Sequence, residues 1–211
     1  MAARLRAVDD LELTGRYTRL EPLSPAHTAG LIAAASESRD AYRFNVVPDG
    51  EAEAHAYVAE ALSARAEGRQ LPFATVRLAD GRVVGTTRFD DLAPWVWPPG
   101  HPMQRHDRPD VTEIGHTWLA ASAQRTGINT EAKSLMLHHA FDVWDVHVVR
   151  LRTDRRNARS RAAIERIGAR FEGVRRADRP AIDGSVRDSA FYSISRAEWP
   201  DVRQRLMTLL R

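Results

Sequence analysis

The sequence predicts an α/β (α+β) domain, and three observations carry that expectation. Short apolar or alternating runs suited to strands recur from Tyr17 to Ser195, helical runs fall between them, and Asp-Gly or Gly-containing turns sit where the chain changes element. With 211 residues and 43% hydrophobic content the chain can bury one sizeable core. One domain over residues 1–211 is expected, since no repeat, low-complexity stretch or linker marks a boundary.

Tyr17 to Leu23 alternates like a strand, and Ser24-Pro25 then supplies a cap and a proline for a helix over Ala26 to Ser38. A second helix fits Glu51 to Glu67, with Ala54, Tyr57, Val58, Ala61 and Leu62 on one face and Gly68 closing it. Strands Pro72–Leu78 and Val83–Phe89 flank Ala79-Asp80-Gly81-Arg82, a strong hairpin signal. Asp90 to Asp110, rich in Pro, Trp and charge and without a period, reads as a long functional loop in which Trp95 and Trp97 anchor the packing or wall a pocket. Strand Val111–Leu119, helix Asn129–Asp142, strand Val146–Thr153 and helix Asn157–Ile167 follow, then a strand pair near Ala169–Arg175 and Arg187–Ser195, then a helix Trp199–Leu210.

Composition narrows the function. The formal charge is +3, spread along the chain without a basic block, which suits an acidic ligand and argues against a nucleic-acid partner. The chain has no cysteine, so disulfides, catalytic thiols and thiolate metal sites are excluded. His101 and His106 fit no common metal spacing, and no metal is expected. The N-terminus lacks an apolar leader-like run and nothing approaches the length of a membrane span, so a soluble, cytoplasmic protein with no membrane partner is expected.

Two segments carry chemistry. Gln124-Arg125-Thr126-Gly127-Ile128-Asn129-Thr130-Glu131 joins a strand to a helix, where unpaired amides and the positive end of the dipole make a ready anion cradle. Taken alone, it is equally an ordinary connection. Asn157-Ala-Arg-Ser160 opens a later helix with Asn and Ser on one face.

Together with Glu113-Ile-Gly-His-Thr-Trp-Leu119 and the continuation to Ala169, these segments resemble the GCN5-related N-acetyltransferase (GNAT) superfamily, nearest its RimJ/RimL-like branch, over almost the whole chain. The superfamily pattern Gln/Arg-x-x-Gly-x-Gly/Ala is met at Gln124 and Gly127 and departed from at Asn129, which an N-cap position would accommodate. The resemblance implies a mixed, mostly antiparallel six- to seven-stranded sheet flanked by helices. It implies acetyl-CoA as co-substrate, its pyrophosphate on the amides of Arg125, Thr126, Gly127, Ile128, Asn129 and Thr130 beside Gln124, and its pantetheine arm along the amides near Leu119 and Ala121. Asn157 would hold the pantetheine or a water, and Ser160 would donate to the departing thiolate.

Acetyl transfer to an amine also needs a proton acceptor. Glu113 is the first candidate, since burial would raise its pKa toward the working range. His116, three residues on, faces the other way in a regular strand and becomes a candidate only if a bulge intervenes; its amide or that of Thr117 could polarise the thioester carbonyl. Each residue also has a plain structural reading: Glu113 as a surface carboxylate, Asn157 as a helix cap, Ser160 satisfying a backbone group. The expected reaction is direct attack in a ternary complex by a primary amine, a peptide or protein N-terminus first and a small amine second. The acceptor cleft would be built from the first two helices and the long loop. The alternative is an acyl-CoA-binding or regulatory module without chemistry. Strand Arg187–Ser195 and the last helix offer a face for a homodimer.

Overall fold

Strand-forming runs separated by tight turns zip into one eight-stranded sheet. The computed structural model describes residues 11–104 and 107–211, so the readings of the N-terminal segment and of His106 lie outside the described residues. Its strands are β1 (Leu13–Thr14), β2 (Thr18–Pro22), β3 (Gln70–Arg77), β4 (Arg82–Ala93), β5 (Val111–Leu119), β6 (Val148–Asp154), β7 (Arg170–Pro180) and β8 (Val186–Ser195). They lie in the order β1-β2-β3-β4-β5-β6-β8-β7. Every neighbouring pair is antiparallel except β5 with β6. The two-residue β1 raises the count above the expected six or seven; a piece that short carries no period of its own.

Helices cover both faces. α1 (Thr28–Ser36) and α2 (Gly50–Ala66) pack on one, where Leu31, Tyr57, Val58, Ala61 and Trp118 are buried. α3 (Ile128–His138), α4 (Ala158–Arg166) and α5 (Trp199–Leu209) pack on the other, around Phe73, Phe89, Met136, Leu137, Trp144 and Tyr192. Each Leu, Val, Phe or Met among them stabilises the fold by about 1.5–3 kcal/mol through the apolar area it removes from water. The sheet explains two departures from the sequence reading. The Ser24-Pro25 start makes a 3-10 turn, Pro25–His27, before α1 begins. β4 runs on to Ala93, which takes Asp90 out of the loop and into the ladder opposite Glu113.

Helix α3 is locked to the sheet by its own first turn. Glu131, buried, accepts from the amides of Arg16 (2.7 Å), Tyr17 (2.7 Å) and Thr18 (2.8 Å), where β2 begins. The approach is close enough that a Cβ on Gly15 would overlap that carboxyl group, so only glycine fits there. Two residues on, the Lys133 amine is buried and donates to Thr117 Oγ1 (2.6 Å) and Thr87 Oγ1 (3.0 Å). Burial pushes its pKa down to about 7.

Two stability predictions follow from these groups. Glu131→Gln strands backbone donors that the carboxylate now satisfies, and urea denaturation should show a loss on the order of 3–5 kcal/mol. For Lys133, the unfolded chain holds its proton to near the ordinary lysine value of 10.5 while the folded chain releases it near 7, so the unfolded state binds more protons across that window. Stability should rise with pH between the two values by up to about 1.4 kcal/mol per unit. In Lys133→Met that rise should vanish.

Candidate functional site

The site forms where β5 leaves β6. Their parallel ladder joins only Val111, Thr112 and Glu113 to Val148, Val149 and Arg150. Beyond Glu113, β5 follows β4 instead, through a bulge that sets His116 and Thr117 together against Thr87 and gives His116 a left-handed backbone, φ 50°. The strands open into a cavity of about 850 Å³ reaching from the α3 turn to the β7–β8 hairpin. Glu113, His116, Thr117, Leu119, Gln124, Arg125, Thr126, Asn129, Lys133, Asn157 and Ser160 all line it.

At one end stands the turn before α3. The first intrahelical bond runs from the Glu131 amide to the Gly127 carbonyl, so the preceding amides have no helical acceptor; that of Ile128 meets Thr126 Oγ1 at 3.3 Å. The left-handed residue of the turn is Arg125 (φ 59°), not the glycine. Gly127 has φ −66° and caps α3, and a Cβ there would press on the Tyr17 ring at 3.0 Å. Asn129 is therefore the second helical residue rather than the cap expected from sequence, and its Oδ1 is buried without a partner among the described residues. Gln124 faces inward, donating to Leu119 O (2.8 Å) and accepting from Arg159 (3.1 Å). Ala121, Gly127, Ile128 and Thr130 are not in the cavity wall: Ala121 starts an exposed 3-10 turn, Ile128 joins the core, and Thr130 accepts from Arg166 at 2.8 Å.

On the far side of the opening, Asn157 caps α4 by accepting from the Ser160 amide (3.0 Å), while its Nδ2 reaches Asn45 Oδ1 at 3.5 Å. Asn45 in turn donates to Thr117 O (3.3 Å), and Tyr42 donates to Leu119 O (3.0 Å). The connection between α1 and α2 thus leans over the cleft and satisfies β5 carbonyls that have lost their strand partner. The rest of the Asp90–Asp110 segment, beyond the end of β4, plays no such part, unlike in the acceptor cleft expected from sequence: its described residues are absent from the cavity wall. It folds at the start of β6, where Trp95 stacks on His147 at 5.1 Å and Trp97 on His101 at 4.6 Å.

The titratable groups gather at the mouth of the opening. Glu113, only 6% exposed, takes a hydrogen-bonded ion pair from Arg152 at 2.8 Å. Burial raises its pKa, an effect that the Arg152 charge opposes without cancelling. The bulge turns His116 to the same side, with Nε2 3.4 Å from both Asp90 Oδ2 and Gln70 Nε2. Burial would raise the Asp90 carboxyl, but hydrogen bonds from His116, the Asp91 amide and Gln70 bring it down to about 2. A buried proton acceptor, a carboxylate-held imidazole, a hydroxyl at a helix start and an amide-lined turn therefore share one space. Asp90, Arg152, Lys133 and Asn45 are the members that sequence reasoning missed. Asp90 could have been found by extending the alternation of β4 by one residue; Arg152 and Lys133 lie on elements read as scaffold, and Asn45 on a connection given no reading.

Comparison with known proteins agrees with this geometry. The family described as Acetyltransferase (GNAT) domain matches residues 18–170. The Brucella melitensis GCN5-related N-acetyltransferase superposes with a TM-score of 0.80 at 29% identity, covering 96% of this chain and 86% of that one. Mycobacterium smegmatis RimJ in complex with CoA-disulfide shares the fold, with a TM-score of 0.72 at 22% identity over 95% of this chain and 93% of that one. A Bacillus subtilis protein named "Putative ribosomal N-acetyltransferase YdaF" is 34% identical over 87 residues, 41% of this chain and 46% of that relative, so the match spans less than half of its length. By the extent of the family match and the β5–β6 opening that the sheet builds, this chain belongs to the GNAT family, the acetyl-CoA-dependent N-acetyltransferases, and resembles its RimJ/RimL-like branch.

Proposed function

We propose that the protein, acting as a single cytoplasmic domain over residues 1–211, moves an acetyl group from acetyl-CoA to a primary amine by direct attack with both substrates bound. A peptide or protein N-terminus is the first choice of acceptor and a small amine the second. The carrying observation is the placement of Glu113, buried and with a raised pKa, across one cavity from Asn157 and Ser160 and open to Gln124, Arg125, Thr126 and Asn129 of the turn before α3.

The residues present fit the donor. The amides ahead of Glu131, together with Arg125 and the positive end of α3, suit a pyrophosphate, a dipole contribution of about 0.3–1 kcal/mol before the hydrogen bonds are added. Asn129 Oδ1, an unpartnered acceptor amid donors, suits an N–H or O–H of the ligand. When bound, acetyl-CoA supplies the activated acetyl thioester. The chain supplies the rest: Glu113 takes the proton that the acceptor ammonium must lose before nitrogen is nucleophilic, and Arg152 keeps that carboxylate oriented. Ser160, held at the start of α4 by the Asn157 cap, donates toward the thiolate side; a thiol with a pKa near 8.5 needs no stronger acid. The α1–α2 connection, through Asn45 and Tyr42, closes the cleft against water.

The test is thiol release from acetyl-CoA against a panel of peptides, amino acids, polyamines and amine-bearing antibiotics, followed by mass analysis of the products. Release without an acetylated amine on any class would make the protein a thioester hydrolase, and ligand-induced stabilisation without release would make it a binding module; either outcome overturns the reading. Glu113→Gln should lower kcat by about 10²–10⁴-fold while the thermal shift on adding acetyl-CoA persists. The acidic limb of the wild-type pH–rate profile should lie above the ordinary carboxylate range and vanish in this variant. If the limb survives unchanged, His116 with Asp90 is the base instead. Ser160→Ala should slow single-turnover chemistry by about 10–100-fold, the loss of one hydrogen bond to a charged group.

A further inference from the structure

Resting on the acetyl transfer proposed above, we infer that the acceptor carries an anionic group close to its amine, bound by Arg187 and Arg179 on the β7–β8 hairpin. Both side chains line the cavity, and the ladder places the two residues directly opposite each other. Like charges in facing positions weaken a sheet unless something between them is negative.

The protein itself does not provide that negative charge to Arg187. Its Nε donates to the Ser189 hydroxyl at 2.9 Å, and among the described residues no carboxylate lies within 4.0 Å of it. The neighbouring acids are committed elsewhere. Asp154 is held by Arg156 at 2.8 Å, Asp188 faces Arg155 at 3.4 Å, and Asp178 takes Arg175 (3.2 Å) and Arg179 (3.1 Å). Burial and the nearby charges of Arg179 and Arg152 depress the Arg187 pKa; Asp154 and Asp178 act the other way from beyond ion-pair distance and do not cancel the effect.

Its place in the sheet separates it from the donor's phosphates. β8 pairs with the end of β6, beside the start of α4, whereas the α3 turn follows β5 on the other side of the opening. The cavity thus offers a proton acceptor for an amine at Glu113 and a planar cationic fork for a carboxylate at the hairpin. Peptides with Asp or Glu in the first few positions and free acidic amino acids share that chemistry.

The experiment compares kcat/KM for short peptides that begin with Ala and continue with Glu, Ala or Lys, alongside free glutamate and alanine. It uses the full-length wild type, Arg187→Ala and Arg187→Glu. Wild type should prefer the Glu peptide over the Ala peptide by about 10–100-fold, as for one charge-assisted contact. Arg187→Ala should erase that ratio through the acceptor KM, leave the acetyl-CoA KM unchanged, and melt no lower than wild type because a repulsive pair is gone. Arg187→Glu should prefer the Lys peptide. A Glu-to-Lys ratio that stays the same in Arg187→Glu, or a rise in acetyl-CoA KM in place of acceptor KM, overturns the inference. Turnover without charge preference sinks this inference alone, while no turnover on any amine, with acetyl-CoA still bound, sinks it together with the proposed function. Turnover of free glutamate equal to that of the Glu peptide identifies the small molecule as the source; its absence identifies the peptide.

Discussion

The three-residue parallel ladder between β5 and β6 is the constraint on which the rest of the molecule depends. Parallel strands joined edge to edge would normally continue pairing, since an unpaired buried amide or carbonyl costs about as much as a lost hydrogen bond. Here the bulge at His116 and Thr117 keeps β5 in step with β4, and β5 parts from β6 immediately after Glu113. Every consequence follows from where that parting falls. Glu113 is the last paired residue, so it is rigid yet faces an opening; the β5 carbonyls beyond it are free to take Asn45, Tyr42 and Gln124. A gap that would be a defect elsewhere becomes a slot with polar walls.

The two sides of the slot are held independently. The turn before α3 is fixed by Glu131, whose carboxylate gathers three amides from the start of β2, and by the contact of Gly127 with Tyr17. The start of α4 is fixed by its own cap and by Arg159, which spans to Gln124 and to the Ala41 carbonyl at 2.7 Å. Lys133 lies at the seam, its pKa lowered by burial to about 7 and its Nζ bonded to hydroxyls of β4 and β5. A charged amine there would need a counter-ion that the core does not offer.

Most of the fold was legible because its cues are local. Alternation along β2, Asp80-Gly81 in the turn and the cap at Asn157 each act within a few residues, and each element stands where those cues put it. Three features depend on a partner strand rather than on a local cue. β1 exists only because β2 is there to pair with it, and Asp90 belongs to β4 only because β5 lies opposite. The bulge at His116 answers to the register of two strands at once, so no window of sequence contains it. The site divides along the same line. Residues placed by a turn or a helix start, such as Gln124, Arg125, Asn157 and Ser160, could be named in advance; Arg152 and Asn45 reach the cavity through tertiary packing alone. The long loop misled for the same reason: its composition marks it as special, but only the fold shows that it stacks on His147 away from the cleft.

The hairpin of β7 and β8 joins to itself mainly by backbone bonds, which are indifferent to the side chains they carry. Its turn, Ala181 to Ser185, is closed by Ala181 to Ser185 and Gly184 to Ala181 main-chain contacts of 2.8 and 3.1 Å. Substitutions that change what protrudes into the cavity at Arg179, Ile182 or Arg187 therefore leave the Glu131 clamp, the α4 cap and the β5–β6 parting untouched. The slot is thus built in two separable halves, and the contacts that fix one do not depend on the side chains that the other presents.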